Sequence, residues 1–278
     1  MSGSRPPALP NLVRLDTLDD PRLEPYRDVR DRDLSARDVF LAESESVLRV
    51  LLWRGHHPVR SVLLSDSRAE KLGDLLALVP AGTPIFVGPQ DRLDALTGFH
   101  IHRGVLACAA RVAVPTLPSL LAKLPRGPST LVVLESLTNH DNLGAIFRNA
   151  AALGADAVVL DERCCDPLYR KAIRVSVGAC LVVPYARVDG VRPALAALRE
   201  AGFTTVALTP NEPATDLRDF GTARPDRVAL LLGSEGPGLE VDTLGAADVR
   251  ARIRQRSDFD SLNVATACGI ALHELAHR

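Results

Sequence analysis

An arginine and several amides stand on a predicted helix that follows the first buried strand in the second half of the chain. The segment Asn139–Ala150 reads N-H-D-N-L-G-A-I-F-R-N-A, and its apolar residues follow helical spacing, so one helix face packs on a sheet. We expect Asp141 or Asn142 to cap the start of this helix and Gly154 to end it in the left-handed conformation. Arg148 points away from the apolar face, where its guanidinium either meets solvent or binds an anion such as a phosphate.

A glycine-rich loop follows a later buried strand. The segment Leu232–Leu239 reads L-G-S-E-G-P-G-L, and its three glycines let backbone groups approach a ligand closely. Their order differs from the G-x-G-x-x-G dinucleotide fingerprint, and no lysine follows as in a phosphate-binding loop. Glu235 within the loop would repel a phosphate. The loop is therefore either a plain tight turn or a place where backbone groups hold a ligand.

A charged segment joins the last predicted strand to the C-terminal helix. It runs from Ile253 to Asn263 as I-R-Q-R-S-D-F-D-S-L-N, and Ser261 and Asn263 offer side chains that can cap the following helix. Four arginines alternate from the preceding strand into the start of this segment, and we expect them to share one face of that strand, namely Arg250, Arg252, Arg254 and Arg256. That face is either solvated or able to follow a phosphate backbone.

The C-terminal helix contains a zinc-hydrolase pattern that we reject. The run His273-Glu-Leu-Ala-His277 matches H-E-x-x-H, which places two histidines on one helical face. A zinc hydrolase needs a third protein ligand, which the usual patterns find downstream, and only Arg278 follows. We therefore expect no metal site and interpret the segment as an amphipathic helix end.

Short apolar runs position these segments, and such runs are typical of strands buried on both faces. The predicted strands are Leu131–Leu134, Ala157–Leu160, Leu181–Val183, Thr205–Leu208, Val228–Leu232 and Val249–Ile253. The predicted helices are Leu143–Leu153, Pro167–Val177 with Asp166 as its cap, Arg192–Ala201 and Leu262–Ala276. This alternation predicts a mostly parallel sheet, in which ligands bind beyond the carboxyl ends of the strands.

The first half shows a similar alternation over fewer residues and without an obvious catalytic cluster. Its predicted strands are Val39–Ala42, Ser61–Leu64, Pro84–Val87 and Val105–Val112. Its predicted helices are Glu43–Trp53, Arg68–Leu78 and Arg92–Leu96. We expect a small α/β sandwich that serves in binding. Proline-rich stretches mark the boundary, which gives a flexible tail over 1–21, a first domain over 22–114, a linker over 115–129 and a second domain over 130–278.

Composition narrows the functional class further. The 278 residues carry 33 basic and 34 acidic side chains, and this net charge of −1 excludes a general basic coat for nucleic acid but not a local patch. No apolar stretch approaches the roughly 18 residues of a membrane span, and we expect no secretory signal. Five cysteines without a repeated C-x-x-C favour buried thiols in a reducing cytoplasm over a disulfide framework or a zinc ribbon.

Taken together and in order, the three segments resemble the signature motifs of the SpoU/TrmH-type RNA ribose 2′-O-methyltransferases of the SPOUT superfamily. The resemblance spans about Thr130 to the C-terminus, with Glu135–Ala150 similar to motif 1, Leu230–Leu239 to motif 2 and Ile253–Ala271 to motif 3. Arg254 and Gln255 depart from it, because the family usually has Pro and Met after the motif 3 Ile.

The first half is similar to the ribosomal-protein-L30e-like substrate-binding domain that is often fused to these enzymes. The similarity rests on F-L-A-E at Phe40–Glu43 and on H-R-G-V-L-A at His102–Ala107. The Gly that commonly follows the Glu is missing here. The fold class implied for the whole chain is α/β, with an L30e-like sandwich followed by a SPOUT domain that contains a deep trefoil knot.

The resemblance also implies a cofactor and a dimer. The cofactor is S-adenosyl-L-methionine, held at Leu232, Gly233, Ser234, Gly236, Ile253 and Leu262. Family members are homodimers whose knot helices pack across the interface, so that motif 1 of one subunit would complete the site of the other.

The catalytic residues implied by the resemblance are Asn142, Arg148, Glu235, Ser261 and Asn263. A guanidinium is almost never deprotonated in a protein, so we expect Arg148 to hold the target phosphate and stabilise the developing 2′-oxyanion rather than act as a base. We expect Asn142 and Glu235 to orient Arg148 and the cofactor. Ser261 and Asn263 would cap the last helix while lining the pocket.

The sequence thus predicts an RNA 2′-O-ribose methyltransferase with RNA and a second copy of the chain as its partners, and without a membrane or a metal. Ribosomal RNA is the expected substrate because of the L30e-like half, and transfer RNA is the alternative. A non-catalytic RNA-binding or assembly protein of the same fold is the alternative from another class.

Overall fold

The computed structural model describes residues 11–27, 31–101, 104–211, 213–256 and 261–276, and it divides into two units. The first unit comprises the described residues up to Val112 together with 168–182, and the second comprises 113–167 and the described residues from Val183 onward. The sequence-based division counts 168–182 with the second domain, whereas their contacts group them with the first unit. No helix in the described part of the chain is long and apolar enough to cross a membrane.

Twelve strands and twelve α-helices are numbered here in chain order through the described residues. The strands are β1 (Leu12–Arg14), β2 (Val39–Glu43), β3 (Val59–Ser65), β4 (Ile85–Gly88), β5 (Val105–Ala110), β6 (Ser129–Leu134), β7 (Ala157–Asp161), β8 (Tyr185–Val188), β9 (Thr204–Leu208), β10 (Thr215–Asp216), β11 (Arg227–Leu232) and β12 (Val249–Arg252). The helices are α1 (Asp31–Ser35), α2 (Glu45–Arg54), α3 (Asp66–Ala69), α4 (Gly73–Leu76), α5 (Gln90–Thr97), α6 (Leu117–Leu121), α7 (His140–Leu153), α8 (Arg170–Val175), α9 (Val191–Glu200), α10 (Leu217–Thr222), α11 (Val241–Ala246) and α12 (Val264–Glu274).

The first unit is built on a five-stranded mixed sheet. Its order is β1-β4-β3-β5-β2, in which β1, β4 and β3 are parallel while β5 runs antiparallel to both β3 and β2. All six residues of β5 are buried, as expected for an apolar strand covered on both faces. Of the predicted tail 1–21, residues 1–10 lie outside the described part, and Leu12–Arg14 pairs with β4 as an edge strand.

The second unit confirms the predicted parallel sheet. Its seven strands are all parallel in the order β10-β12-β9-β11-β6-β7-β8. Leu131 and Leu231 pack in a core cluster with Leu195 of α9, whereas their neighbours Val132 and Leu230 point to the opposite face and are equally buried. The sheet is therefore covered on both sides.

The strand order creates a switch point beside β6. The chain passes from β6 outward to β7 and β8, and then returns to β9, with β11 later inserted between β9 and β6. In open parallel sheets the connections diverge at such a point and leave a crevice beyond the carboxyl ends of the strands. The carboxyl ends of β6, β9, β11 and β12 therefore meet at one edge.

Several predicted elements are wrong in detail. The apolar run Leu181–Val183 is not a strand, because Gly178 (φ +84°) opens a 3-10 helix over Ala179–Leu181 and β8 begins only after Pro184. The predicted helix Pro167–Val177 is confined to α8 and is preceded by Tyr169 rather than capped by Asp166. A short buried apolar run looks the same in a strand and in a helical turn, so the pattern does not separate them.

Candidate active site at the carboxyl edge of the parallel sheet

A cavity of about 450 Å³ lies beyond the carboxyl ends of the strands in the second unit. Three segments contribute most of its lining, namely the loop after β9, the glycine-rich loop after β11, and the segment that joins β12 to α12. Its volume is within the range of small-molecule sites. The lining residues are Leu208, Thr209, Pro210, Asn211, Leu232, Gly233, Ser234, Glu235, Gly236, Pro237, Gly238, Leu239, Leu244, Ile253, Gln255, Ser261, Leu262, Asn263, Val264 and Ala267.

The glycine-rich loop closes tightly on itself. Ser234 and Gly238 exchange two backbone hydrogen bonds, with N···O distances of 3.2 and 3.1 Å. A Cβ atom placed on Gly233 would lie 2.0 Å from the carbonyl carbon of Gly238, so no larger residue fits there without moving the backbone. Gly236 and Gly238 have φ angles of +89° and +75°, which favour glycine. The glycines are thus explained by the shape of the loop, which turns the backbone of residues 233–238 along the cavity.

The start of α7 is fixed by Asn139, not by the predicted caps Asp141 or Asn142. Oδ1 of Asn139 accepts hydrogen bonds from the backbone N–H groups of Asp141 (2.8 Å) and Asn142 (3.3 Å). The predicted helix end is confirmed, since Gly154 adopts φ +79° and donates its N–H to the carbonyl of Ala150. This cap leaves the Asn142 side chain available for tertiary contacts.

Three of the predicted catalytic residues form one chain of hydrogen bonds at the cavity. Nδ2 of Asn263 donates to Oδ1 of Asn142 at 2.9 Å, and Nδ2 of Asn142 donates to Oε1 of Glu235. The other end of the Asn263 amide caps α12, because its Oδ1 accepts from the backbone N–H groups of Ala265 (3.0 Å) and Thr266 (3.2 Å). The three motif-like segments are therefore joined by side-chain contacts.

The remaining two predicted catalytic residues are placed differently. Ser261 lines the cavity and is exposed, but it does not cap α12, a role that Asn263 fills. Arg148 is exposed on α7 and is not among the residues that line the cavity. Within the described residues its guanidinium makes no hydrogen bond or ion pair. This chain alone does not bring Arg148 together with the other four.

All six residues predicted to hold a cofactor lie around the cavity: Leu232, Gly233, Ser234, Gly236, Ile253 and Leu262. Gln255, noted above as a departure from the family pattern, lines it as well, whereas Arg254 points to Asp216 at 3.1 Å. Among the lining residues that the structure describes, Glu235 is the one that carries a charge. The cavity therefore presents a carboxylate, amides, hydroxyls and aliphatic side chains to a ligand.

Sequence reasoning missed the loop after β9. Thr209 is held by a hydrogen bond from its N–H to the carbonyl of Ala251 (2.9 Å), and its hydroxyl accepts from the N–H of Asn211 (3.2 Å). This brings Thr209–Asn211 into the lining. The sequence does show that this loop follows a predicted parallel strand. The loop reaches the cavity only because β9 lies next to β11, which the sequence does not show.

Sequence reasoning also missed a buried carboxylate beneath the glycine-rich loop. Glu135, at the end of β6, is only 2% exposed. Its Oε2 accepts from the backbone N–H of Glu240 (2.7 Å), and its Oε1 accepts from the hydroxyl of Thr243 (2.5 Å). Glu135 thus fixes the start of α11, which directly follows the loop, to the end of β6.

Of the two adjacent cysteines, Cys164 is buried as predicted, whereas Cys165 is only partly buried. Cys164 is buried, and its Sγ accepts from the N–H of Leu137 (3.3 Å) and donates to the carbonyl of Leu134 (3.4 Å). Burial raises the pKa of the Cys164 thiol far above its usual range and that of Cys165 to about 12. Both are therefore protonated near neutral pH and are poor nucleophiles.

The arginine stripe does not continue as one strand face, and the H-E-x-x-H pattern lies only partly within the described residues. β12 ends at Arg252, so Arg254 and Arg256 lie beyond the strand, and Arg250 donates to the carbonyl of Leu244 at 3.1 Å. Among the described residues no group of three or more His, Cys, Asp or Glu side chains could hold a metal ion. His277 lies outside the described residues, as do 257–260 of the third segment and His102.

Comparison with known proteins gives consistent matches. The chain matches the model of the SpoU rRNA Methylase family over residues 129–273. It is 42% identical over 262 residues to an uncharacterized tRNA/rRNA methyltransferase of Mycobacterium tuberculosis, which covers 92% of this chain and 88% of the relative. It is 34% identical over 195 residues to the 23S rRNA (guanosine-2′-O-)-methyltransferase RlmB of a Burkholderia species, with 70% of this chain and 77% of the relative covered.

Solved structures show the same fold. An AdoMet-bound rRNA methyltransferase from Sinorhizobium meliloti superposes with a TM-score of 0.79 at 24% identity, over 95% of this chain and 97% of that chain. The α/β architecture with its parallel sheet is therefore shared along almost the whole length of both proteins.

Proposed function

The chain belongs to the SpoU rRNA methylase family, and on that basis we propose that it transfers the methyl group of S-adenosylmethionine to a ribose 2′-hydroxyl of RNA. The single observation that carries the proposal is the hydrogen-bonded chain Asn263–Asn142–Glu235 at a cavity on the carboxyl edge of the sheet. It joins the three motif-like segments at one place. An RNA-binding protein that has lost catalysis has no need to keep this set together.

The chemistry of the cavity fits the cofactor. S-adenosylmethionine carries a positive sulfonium, an adenine and a polar amino acid group, and it supplies an activated methyl group when bound. The described residues of the lining offer one carboxylate, Glu235, and no cation, which favours a cationic ligand over a phosphate-bearing one. Leu232, Ile253 and Leu262 provide apolar surface, and the backbone groups of the glycine-rich loop provide hydrogen-bonding partners.

The roles of the polar residues follow from their contacts. Glu235 is held by Asn142, which is itself held by Asn263, so the carboxylate has a fixed position at the cavity. Arg148 acts on the RNA, where its guanidinium holds the target phosphate and stabilises the negative charge that develops on the 2′ oxygen. Ser261 lines the cavity and has a hydroxyl to offer to either substrate.

The position of Arg148 supports a site shared between two subunits. Arg148 does not line the cavity of its own chain and is unpaired within the described residues. In a homodimer, α7 of one subunit would present Arg148 to the cavity of the other. α12, which packs against α7, exposes the aliphatic side chain of Ile270, and such a surface is suited to burial against a second copy. The trefoil knot and the cytoplasmic location stay predictions.

Ribosomal RNA is the substrate class we favour. One relative is named for guanosine 2′-O-methylation of 23S rRNA, while the relative with higher identity is named for both tRNA and rRNA. The predicted L30e-like first domain also favours ribosomal RNA. Transfer RNA is the alternative, and a bulk tRNA substrate in the assay separates the two.

The test has two steps. Calorimetric titration of the purified protein with S-adenosylmethionine should show binding near one site per chain. Incubation with tritiated S-adenosylmethionine and either ribosomal or transfer RNA, followed by digestion to nucleosides, should place the label in a 2′-O-methylnucleoside. Absence of cofactor binding, or label on a base rather than a ribose, would contradict the proposal.

A further inference from the structure

An exposed tryptophan lies among cations on the first unit. Trp53 is the only tryptophan of the chain, and it occupies the last turn of α2 with 66% of its surface exposed. The buried face of α2 is formed by Val47, Leu48 and Leu51, so the helix packs without the indole. Within the described residues the ring of Trp53 makes no aromatic or cation–π contact, and its N–H has no partner. A large flat apolar surface is thus exposed to solvent.

Three basic side chains flank this ring along the chain. Arg54, His56 and Arg60 are all exposed, and none of them makes a hydrogen bond or ion pair within the described residues. Arg49, one turn before Trp53, differs because it is paired with Glu45 at 3.0 Å and Asp74 at 3.5 Å. Glu45 and Asp74 are therefore paired with Arg49, whereas the basic side chains after Trp53 have no carboxylate partner among the described residues.

The turn after α2 brings a further arginine to the same end of the sheet. Nδ1 of His57 lies 3.1 Å from the carbonyl of Ala110, whose N–H donates to the carbonyl of Pro58 at 2.8 Å. Arg111 follows directly and anchors its Nε on the carbonyl of Val39 at 3.3 Å. Burial lowers the pKa of His57, and the charges of His56 and Arg111 lower it further, which agrees with both lying close to His57.

We propose that Trp53 is a platform on which an unpaired base of the substrate RNA stacks, while Arg54, His56 and Arg60 bind the flanking phosphates. The inference rests on the proposed function, which makes RNA the substrate. Exposed indoles bind single-stranded RNA by stacking, because every base has a π-face that a duplex keeps buried. With a net charge of −1, the chain needs a restricted basic patch to hold RNA, and this surface provides one.

The single tryptophan makes the proposal directly measurable, because stacking quenches indole fluorescence and no other indole contributes. The full chain is titrated with an oligouridine of about twelve nucleotides, within the usual site sizes for single strands. A fluorescein-labelled copy of the oligonucleotide reports binding by anisotropy, and an RNA duplex of the same length is the comparison. We expect quenching and anisotropy to give the same Kd for the single strand, and the duplex to quench far less.

Variants separate stacking from charge. Trp53→Ala should weaken single-strand binding by about tenfold, the lower part of the range for loss of one base stack, whereas Trp53→Phe should keep most of the affinity. Arg54→Ala should weaken binding and reduce its salt dependence by about one counterion. Arg192→Ala, at an exposed position of α9 in the second unit, is the matched control and should change neither quantity.

Several results would overturn the inference. Anisotropy that rises without quenching would place the RNA elsewhere, and absence of binding by both readouts would remove the platform altogether. Quenching that depends on protein concentration alone would assign Trp53 to contact with a second copy. In each of these cases S-adenosylmethionine should still bind to wild type and to Trp53→Ala. If the proposed function is wrong, neither protein should bind the cofactor.

Discussion

Nδ2 of Asn263 lies 2.9 Å from Oδ1 of Asn142, and this contact ties the cap of α12 to the first turn of α7. Asn142 passes the connection on to the Glu235 carboxylate. Because an amide can donate on one side and accept on the other, a single Asn142 side chain serves both neighbours at once. The arrangement fixes the position of the Glu235 carboxylate relative to α7 and α12, and substitution of Asn142 tests it directly.

Replacing Asn142 should impair methyl transfer. In Asn142→Ala the Glu235 carboxylate loses its amide donor, and a hydrogen bond to a charged group is worth about 1.5–3 kcal/mol, so we expect turnover to fall by roughly 10- to 150-fold. Asn149→Ala is the matched control, since Asn149 lies on the same helix and its side chain, among the described residues, donates to the carbonyl of Ala265 alone, at 2.8 Å. Equal activity of the two variants in the tritium assay would contradict the role of the chain.

The glycine-rich loop gives a second prediction. In Gly233→Ala the new Cβ would lie about 2 Å from the Gly238 backbone, so the loop must open and the cavity must change shape. Overpacking of this kind costs about 1–3 kcal/mol, and we expect a lower Tm and a Kd for S-adenosylmethionine at least about tenfold higher. Gly245→Ala in α11 is the control.

The control has a clear expectation of its own. A Cβ on Gly245 meets no atom within 4 Å, and the substitution adds helix propensity, so stability should be unchanged or rise by up to about 1 kcal/mol. Calorimetry and thermal unfolding measure both variants. If Gly233→Ala binds the cofactor as well as Gly245→Ala does, the loop is not part of the cofactor site.

The sequence identified most strands of the second unit, but not their order. Val228–Leu232 and Leu131–Leu134 are continuous apolar runs, and such runs indicate strands buried on both faces whatever their neighbours are. That β11 lies between β6 and β9 follows from pairs such as Arg227 with Ser129, 98 positions apart, and Val228 with Thr204, 24 positions apart. Local pattern contains no such information, and the lining by Thr209–Asn211 was therefore missed.

The candidate site shows the same division between local and tertiary information. Motif resemblance indicated Asn142, Glu235 and Asn263 as a set, yet the cap of α7 was assigned to the wrong side chain because Asn139, Asp141 and Asn142 are all good capping residues. The role of Glu135 was not predicted, because it depends on hydrogen bonds from Glu240 and Thr243, which are more than a hundred residues away in the sequence.

Glu135 should matter for stability as well as for the cofactor. Glu135→Ala leaves the N–H of Glu240 and the hydroxyl of Thr243 without their acceptor, and two unpaired polar groups cost about 2–5 kcal/mol in the free energy of unfolding. Because α11 follows the glycine-rich loop, we also expect weaker binding of S-adenosylmethionine.

Urea unfolding measures the stability of Glu135→Ala, and calorimetry measures its affinity for the cofactor. Glu162→Ala, at an exposed position after β7, should behave as wild type; identical behaviour of the two variants would refute the anchoring role.

His57 predicts how the stability depends on pH. Burial lowers the pKa of His57 in the folded chain below the value of about 6.5 that it has when unfolded. His56 and Arg111 lower this pKa further, while the hydrogen bond to the Ala110 carbonyl raises it by less than burial lowers it. The unfolded state therefore binds a proton more readily. The contribution to stability is fully present above about pH 6.5 and is lost as the pH falls below it.

The measurement is urea unfolding at several pH values on both sides of about 6.5. His57→Gln, which does not titrate, should flatten the decline on the acid side. His273→Gln, at an exposed position of α12, is the control and should keep the wild-type profile. A profile of His57→Gln that follows wild type would show that the decline has another origin.

Arg148 allows the proposed sharing of the site between subunits to be tested by complementation. Arg148→Ala alone should abolish methyl transfer while cofactor binding stays close to wild type, because the side chain is exposed and does not line the cavity of its own chain. At a limiting concentration of S-adenosylmethionine, Gly233→Ala alone should be nearly inactive because its displaced loop binds the cofactor weakly. When the two variants are co-expressed, a mixed dimer combines the intact cavity of the Arg148→Ala subunit with Arg148 of the other subunit. Random pairing makes half of the dimers mixed, with one intact site in each, so about a quarter of wild-type activity should return.

Two Arg148→Ala subunits carrying different tags are the control and should stay inactive. If each chain completes its own site, the mixed dimer has no intact site and no activity returns.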